Sequence, residues 1–317
     1  MNGGTVVKTY KKVLSVLLAA VMLLALAAPV FAVDFFVEAE KPFENSEFFD
    51  YEGLRIHYRV FKADNEKAKI FMIHGFALSS YCWQELAERL TAEGYTCVAA
   101  DLPDFGYSTR ETADTKLYPR EDIMHALMMS ISDEQWYVAG HSMGGYITLA
   151  LAQKYPESVK NIMLYGTACN TGTPAVLKYL MADKTFVPLM GGFMEKLASF
   201  DFIVKAFLNV GLCDSEYAKN YDLSKITEPL RINGTGAGAI YSFTMLPETD
   251  LGAVEKMPPI LYVNGDKDSV IPSADRKLLR KHLPSESTDV TVKGGGHMFI
   301  ENLADETARI TLEFLSK

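Results

Sequence analysis

Short apolar runs alternating with helical segments constrain the fold of this chain more than any other feature. Residues 69–73, 95–101, 135–140 and 159–165 read as strands, and residues 79–93, 119–130 and 142–155 carry helical spacing. The alternation resumes with strands at 259–265 and 289–293 and helices at 273–283 and 303–315. Strands separated by helices cross over and pair in parallel, so the pattern predicts an α/β fold: a mostly parallel sheet with helices on both faces. Ahead of it, residues 43–61 hold two strand-like stretches around Tyr51-Glu52-Gly53. Leu54, Ile56, Tyr58 and Val60 alternate there, which predicts an antiparallel hairpin and brings the expected sheet to eight strands.

The alternation is broken between residues 169 and 257. Met181, Met190, Met194, Met245 and Met257 join Phe186, Phe193, Phe200, Phe202, Phe207 and Phe243 in this stretch. The spacing of Ile203, Phe207 and Val210 is helical, so the insertion reads as a helical cap, its Met and Phe residues expected mostly in core packing and some of its apolar face in the cleft. The expected organisation is a core of residues 33–168 and 258–317, interrupted by a cap at 169–257. Methionine adapts its shape readily, which suits an apolar pocket.

The first 32 residues are set apart from the fold. Lys8, Lys11 and Lys12 precede an apolar run from Val13 to Ala28, and Val30-Phe31-Ala32 offers small residues before a cleavage point. This reads as a secretory signal peptide, with a secreted or extracytoplasmic location as its consequence. A retained anchor is the rival reading, but the run is shorter than the roughly 20 residues of a spanning helix. Net charge is −9, and losing three lysines and no acidic residue makes the remainder more acidic still. Nucleic acid and anionic membrane surfaces are therefore disfavoured partners. Cys82, Cys97, Cys169 and Cys213 show no CxxC or zinc spacing. They read as buried small hydrophobes, with one or two disulfides as the alternative in an oxidising compartment.

The chemistry is concentrated in Gly140-His141-Ser142-Met143-Gly144-Gly145, between the apolar run 136–139 and the helical pattern from Tyr146. A serine on a tight strand-to-helix turn adopts a strained backbone, and side chains in place of the flanking glycines would strike the neighbouring strand and helix. The helix start also supplies free N–H groups beside Ser142. A serine needs a base and an orienting carboxylate, and two histidines follow it. His282 ends a helix, where an imidazole commonly meets the last carbonyls, whereas His297 follows Gly294-Gly295-Gly296 after the last strand. Asp266 and Asp268 both follow the strand at 259–265. Of the other histidines, His74 and His141 adjoin motif glycines and are expected to organise loops.

With His74-Gly75-Phe76, then Asp101-Leu102-Pro103-Asp104-Phe105-Gly106-Tyr107-Ser108, then the serine motif in that order, the chain after residue 32 resembles the α/β-hydrolase family in its capped form. The resemblance implies a triad of Ser142, His297 and Asp268, with Asp266 left as a turn residue capping local N–H groups. It also implies an oxyanion hole formed by the backbone N–H groups of Phe76 and Met143, each worth about 10²–10³ in rate. One departure is Asp104, where relatives commonly carry Gly; it bears on the shape of that loop.

The implied activity is a serine hydrolase of the esterase or lipase kind, cleaving an apolar acyl substrate without metal or cofactor. A serine at this position excludes the dehalogenases and epoxide hydrolases of the fold, which carry Asp. Aminopeptidases removing N-terminal proline, carbon–carbon bond hydrolases, lactonases, perhydrolases and a slow-turnover ligand sensor share the pattern. An aminopeptidase needs acidic cap residues for the substrate amine, and Glu195, Asp201, Asp214, Glu216 and Glu228 are available. Gly234-Thr235-Gly236-Ala237-Gly238 imitates a dinucleotide fingerprint but lacks a preceding strand, so small-residue helix packing is expected there.

Overall fold

Hydrophobic runs buried on both faces form the centre of the molecule. The computed structural model describes residues 41–112, 115–170, 172, 179–181, 183 and 186–317, so the segment read as a signal peptide lies outside the described residues. Strands β1 (Ser46–Tyr51), β2 (Leu54–Phe61), β3 (Ala68–Ile73), β4 (Tyr95–Ala100), β5 (Trp136–His141), β6 (Val159–Tyr165), β7 (Ile260–Gly265) and β8 (Thr288–Val292) form one sheet in the order β1-β2-β4-β3-β5-β6-β7-β8. β2 is antiparallel to β1 and β4, and every other pair is parallel. Glu52 and Gly53 take φ of 51° and 89°, the left-handed pair that a two-residue hairpin turn requires.

Side chains alternate between faces with a period of two. Phe71, Ile73, Val138 and Leu164 point to the face covered by α2 (Arg120–Ile131) and α3 (Met143–Lys154). Ile70, Met72, Ala139 and Met163 point to the other, covered by α1 (Gln84–Ala92) and, at the C-terminus, α12 (Ala304–Leu315). The predicted helix at 79–93 is two pieces, because a 3₁₀ turn at Ser80–Trp83 precedes α1. Thus α1 leaves β3 toward one face and α3 leaves β5 toward the other. Neighbouring strands whose connections depart in opposite directions open a crevice at their C-terminal ends.

The insertion between β6 and β7 carries α4 (Phe186–Ala198), α5 (Asp201–Leu212), α6 (Ser215–Asn220), α7 (Ser224–Leu230), α8 (Thr235–Thr244) and α9 (Leu251–Val254). After β7 come α10 (Ser273–Lys281), β8 and the short α11 (Phe299–Asn302). The glycine-rich stretch is helix packing, as expected: a Cβ on Gly236 would strike the Gly191 carbonyl, so α8 and α4 cross with backbones almost touching. The expected core packing of the cap's Phe residues fails on α5. Phe207 is 73% and Val210 52% exposed, and the buried face is Val204, Leu208, Gly211 and Leu212. Gly211 lies in that buried face, where a Cβ would strike Met298.

All four cysteines are free thiols. Cys82, Cys97 and Cys169 are buried as expected, whereas Cys213 is only half-buried and sits at the end of α5 with φ 53°.

Candidate active site

The crevice between β3 and β5 holds Ser142. It adopts φ 52° and ψ −120°, a region that costs a non-glycine residue roughly 1–3 kcal/mol. Its backbone groups are satisfied: N–H donates to the Tyr165 carbonyl at 2.9 Å, and its carbonyl accepts from Gly145 N–H and Thr167 Oγ1, both at 3.0 Å. A Cβ on Gly144 would strike the Ile73 and His74 carbonyls, so only glycine lets α3 begin against the end of β3. On that side Gly75 lies against the serine, its absent Cβ position 2.9 Å from Ser142 Cβ. Met143 N–H is at the first helical position, where no intrahelical acceptor exists.

His297 and Asp268 come from the other half of the sheet. β7 and the loop after β8 approach so closely that a Cβ on Gly265 would meet the Gly295 and Gly296 carbonyls. Lys267 N–H donates to Gly295 at 2.8 Å, and the closure brings Asp268 Oδ2 within 3.0 Å of His297 Nδ1. Asp268 Oδ1 accepts from the Val270 and Ile271 amides at 2.8 and 3.1 Å. Burial alone would raise the Asp268 carboxyl; the hydrogen bond and charge of His297, with the two amides, outweigh it and hold the group below its usual range. His141 joins the halves: its Nε2–H donates to the His297 carbonyl at 2.9 Å, and the two rings lie 4.8 Å apart. Burial, then the His297 ring, push the His141 imidazole down to about 3, so it stays neutral.

The remaining candidates have other duties. Asp266 Oδ1 accepts from Gly294 N–H at 2.7 Å, the capping role expected of it. His282 Nδ1 meets Glu255 Oε1 at 2.6 Å, on the surface, instead of the last carbonyls of α10. His74 accepts from Leu102 N–H at 3.0 Å and donates to the Gly75 carbonyl at 2.7 Å, organising the loop as expected.

The same three residue types recur in Ser46, His57 and Asp101, linked at 2.7 and 2.6 Å. All three are fully buried, and Asp101 also accepts from Ser80 and Tyr107 amides, so this set fastens the hairpin to the sheet and offers no nucleophile to a substrate. Sequence reasoning missed a further contact, between the cap and the short α11. Tyr221 O–H donates to the buried Glu301 at 2.7 Å, and burial pushes that carboxyl up to about 8. Eighty positions separate the pair, and no local pattern marks it.

A strained serine follows β5 and a histidine–carboxylate pair follows β7 and β8, all at strand ends of one mostly parallel sheet with an inserted cap. The alpha/beta hydrolase fold family matches residues 70–302. The chain belongs to that family. As an α/β hydrolase it is similar to the pimeloyl-(acyl-carrier protein) methyl ester esterase of Xylella fastidiosa strain 9a5c, 27% identical over 248 residues, covering 76% of this chain and 92% of the relative. Lipase 1 of Psychrobacter immobilis is 28% identical over 253 residues, covering 75% and 74%. Among solved structures, the enol-lactonase from Burkholderia xenovorans LB400 superposes with a TM-score of 0.70 at 17% identity, covering 86% of this chain and all of that one. That likeness is one of fold.

Proposed function

We propose that this α/β hydrolase is a serine carboxylesterase that works through an acyl-enzyme. The observation that supports the reading is the Asp268–His297 hydrogen bond, formed where the loops after β7 and β8 close on each other, in a chain whose Ser142 holds a strained strand-to-helix turn. Ser142 Oγ attacks the ester carbonyl while its proton passes to His297 Nε2, and the carbonyl π electrons move onto oxygen. The N–H groups of Phe76 and Met143 receive the oxyanion. As the tetrahedral centre collapses, the C–O bond to the leaving group breaks and the alcohol departs with the proton from His297. Water then repeats the sequence on the acyl-enzyme, releasing the acid and restoring Ser142. Asp268, held ionised by its donors, orients His297 and stabilises the imidazolium.

The esterase and lipase relatives support an ester as the bond cleaved. The amine-holding acids required by an aminopeptidase already have partners. Glu195 accepts from Gly236 N–H, Asp201 pairs with Arg231, and Asp214 caps α6. Glu216 meets Asn220, and Glu228 accepts from Tyr107 O–H. The test is hydrolysis of nitrophenyl esters from acetyl to palmitoyl by the full chain beside Ser142→Ala. Turnover that disappears in the variant is the expected result; equal turnover in both rejects the reading.

A further inference from the structure

Two consecutive core residues, Asp104 and Phe105, meet two consecutive cap residues, Ser242 and Phe243, and the two phenylalanines flank Phe76. In the core loop, Asp104 is fully buried with φ 74°. Its Oδ1 accepts from Glu111 N–H at 2.7 Å, and its Oδ2 accepts from Arg120 Nη2 at 3.0 Å. The same Oδ2 lies 3.4 Å from Ser242 Oγ on α8. Arg120 Nη1 and Nη2 also donate to the Glu111 carboxylate, and Nη2 lies 3.4 Å from Ser242 Oγ, so Arg120 and Glu111 together fix the loop end of this contact. One turn before Ser242, Gly238 packs onto the Asp104 carboxylate with no room for a Cβ. A polar bond and a close backbone approach therefore dock α8 at one side chain.

The next residue on each side reaches Phe76. The Phe105 ring meets it edge-on at 5.6 Å, and the Phe243 ring lies over it at 4.7 Å with a 33° tilt. Phe76 carries one of the two amides assigned to the oxyanion and belongs to the same apolar cluster as Met143 and Met194. A substrate whose carbonyl oxygen reaches that amide has its substituent beside the Phe76–Phe243 pair.

We propose that Phe243 is the specificity-determining residue of this hydrolase, its ring limiting the length of the acyl chain, and that Asp104, acting through Ser242, is the residue that positions it. The proposal rests on Ser142 as nucleophile and the Phe76 amide as oxyanion donor. A ring removed from a packed wall admits additional methylenes, each worth a severalfold to roughly 100-fold change in discrimination.

The test is the rate at which the full chain is labelled on Ser142 by a short and a long alkyl fluorophosphonate, with kcat and KM for the matching nitrophenyl esters. Phe243→Ala is expected to raise the long-to-short labelling ratio at least about tenfold, and Phe243→Leu less. Ser242→Ala, which leaves every charge in place, is expected to shift the ratio the same way by about threefold through KM, with kcat unchanged. A positioning role differs here from a merely structural one, which would lower both rates alike. If Ser142 is labelled and all three ratios stay within about twofold of the parent chain, the proposal fails while the hydrolase reading stands. If Ser142 is not labelled by either reagent, both fail.

Discussion

Ser142 is strained but not loose, because each of its backbone groups and the glycines beside it has a fixed counterpart. Asp268 is held as firmly: the Val270 and Ile271 amides fix Oδ1 and leave Oδ2 to His297. Asp266 and Asp268 are two positions apart and chemically identical, yet only Asp268 faces His297, while Asp266 is spent on Gly294 N–H. Asp268→Asn keeps the size of the side chain but lets an amide N–H face Nδ1, which favours the wrong imidazole tautomer. A fall in kcat of about 10⁴ with nearly unchanged KM is expected, measured on whichever ester is turned over fastest. A loss of less than tenfold would show that His297 is oriented by its backbone contacts alone.

At the scale of elements, the cap is fastened to the core by a loop, and Arg110 is the fastening. Its Nη1 donates to the Phe105 and Ser108 carbonyls, and its Nη2 to Gly106 at 2.7 Å and to Pro229 in the cap at 2.8 Å. Nε reaches Thr235 Oγ1 at 2.8 Å. Burial pushes the guanidinium down to about 10, still charged at neutral pH. Arg110→Ala strands several of these acceptors and is expected to lower stability by about 2 kcal/mol in urea unfolding. Limited proteolysis should cut within residues 186–254 before the sheet, and simultaneous digestion of both would contradict this account.

The same scale explains what the sequence made legible. Strands β3 to β7 are covered on both faces, so they read as apolar runs with ends within a residue or two. Helix α10 carries a clear 3.6-residue period, whereas α3, buried nearly all round, read as a helix from its place between two strands. Helix α5 did read as a helix, but its rotation did not, since apolar side chains lie on both its buried and exposed faces and Gly211 carries no hydropathy signal. The strained turn at Ser142 was legible because sterics allow so few residues there. Asp104 stood out as unusual, but its reach to Arg120 and Ser242 spans separate elements and has no local signature.

For the whole molecule, pH is the variable that exposes its buried charges. Burial, opposed by Arg120 and reinforced by Glu111, lifts the Asp104 carboxyl to about 7; Ser242 and Arg110 complete its surroundings. Glu301, facing Tyr221, Tyr81, Tyr217, Cys82 and Glu85, is lifted to about 8. An acid raised on folding binds its proton more tightly in the native state, so stability falls as pH rises from about 4 through those values. Asp101 and Asp268 are shifted the other way, and their contribution is lost as pH falls below about 4. The thermal midpoint should therefore peak near pH 4–5 and decline toward pH 8, with Glu301→Gln flattening the upper part of the decline. A midpoint that climbs between pH 5 and 8 would contradict these assignments.

The sheet also has a consequence in time. β6 pairs with β7 across the entire cap, Ile162 beside Ile260, and Asp268 and His297 arrive only with the segments beyond. Chain emerging from the ribosome can complete the β1–β6 portion and display Ser142 at its turn while having neither base nor orienting carboxylate. Until the strand that closes the far side of the sheet is in place, the nascent molecule carries the Ser142 turn without the groups proposed to activate it, and the cell making it is spared a half-built site.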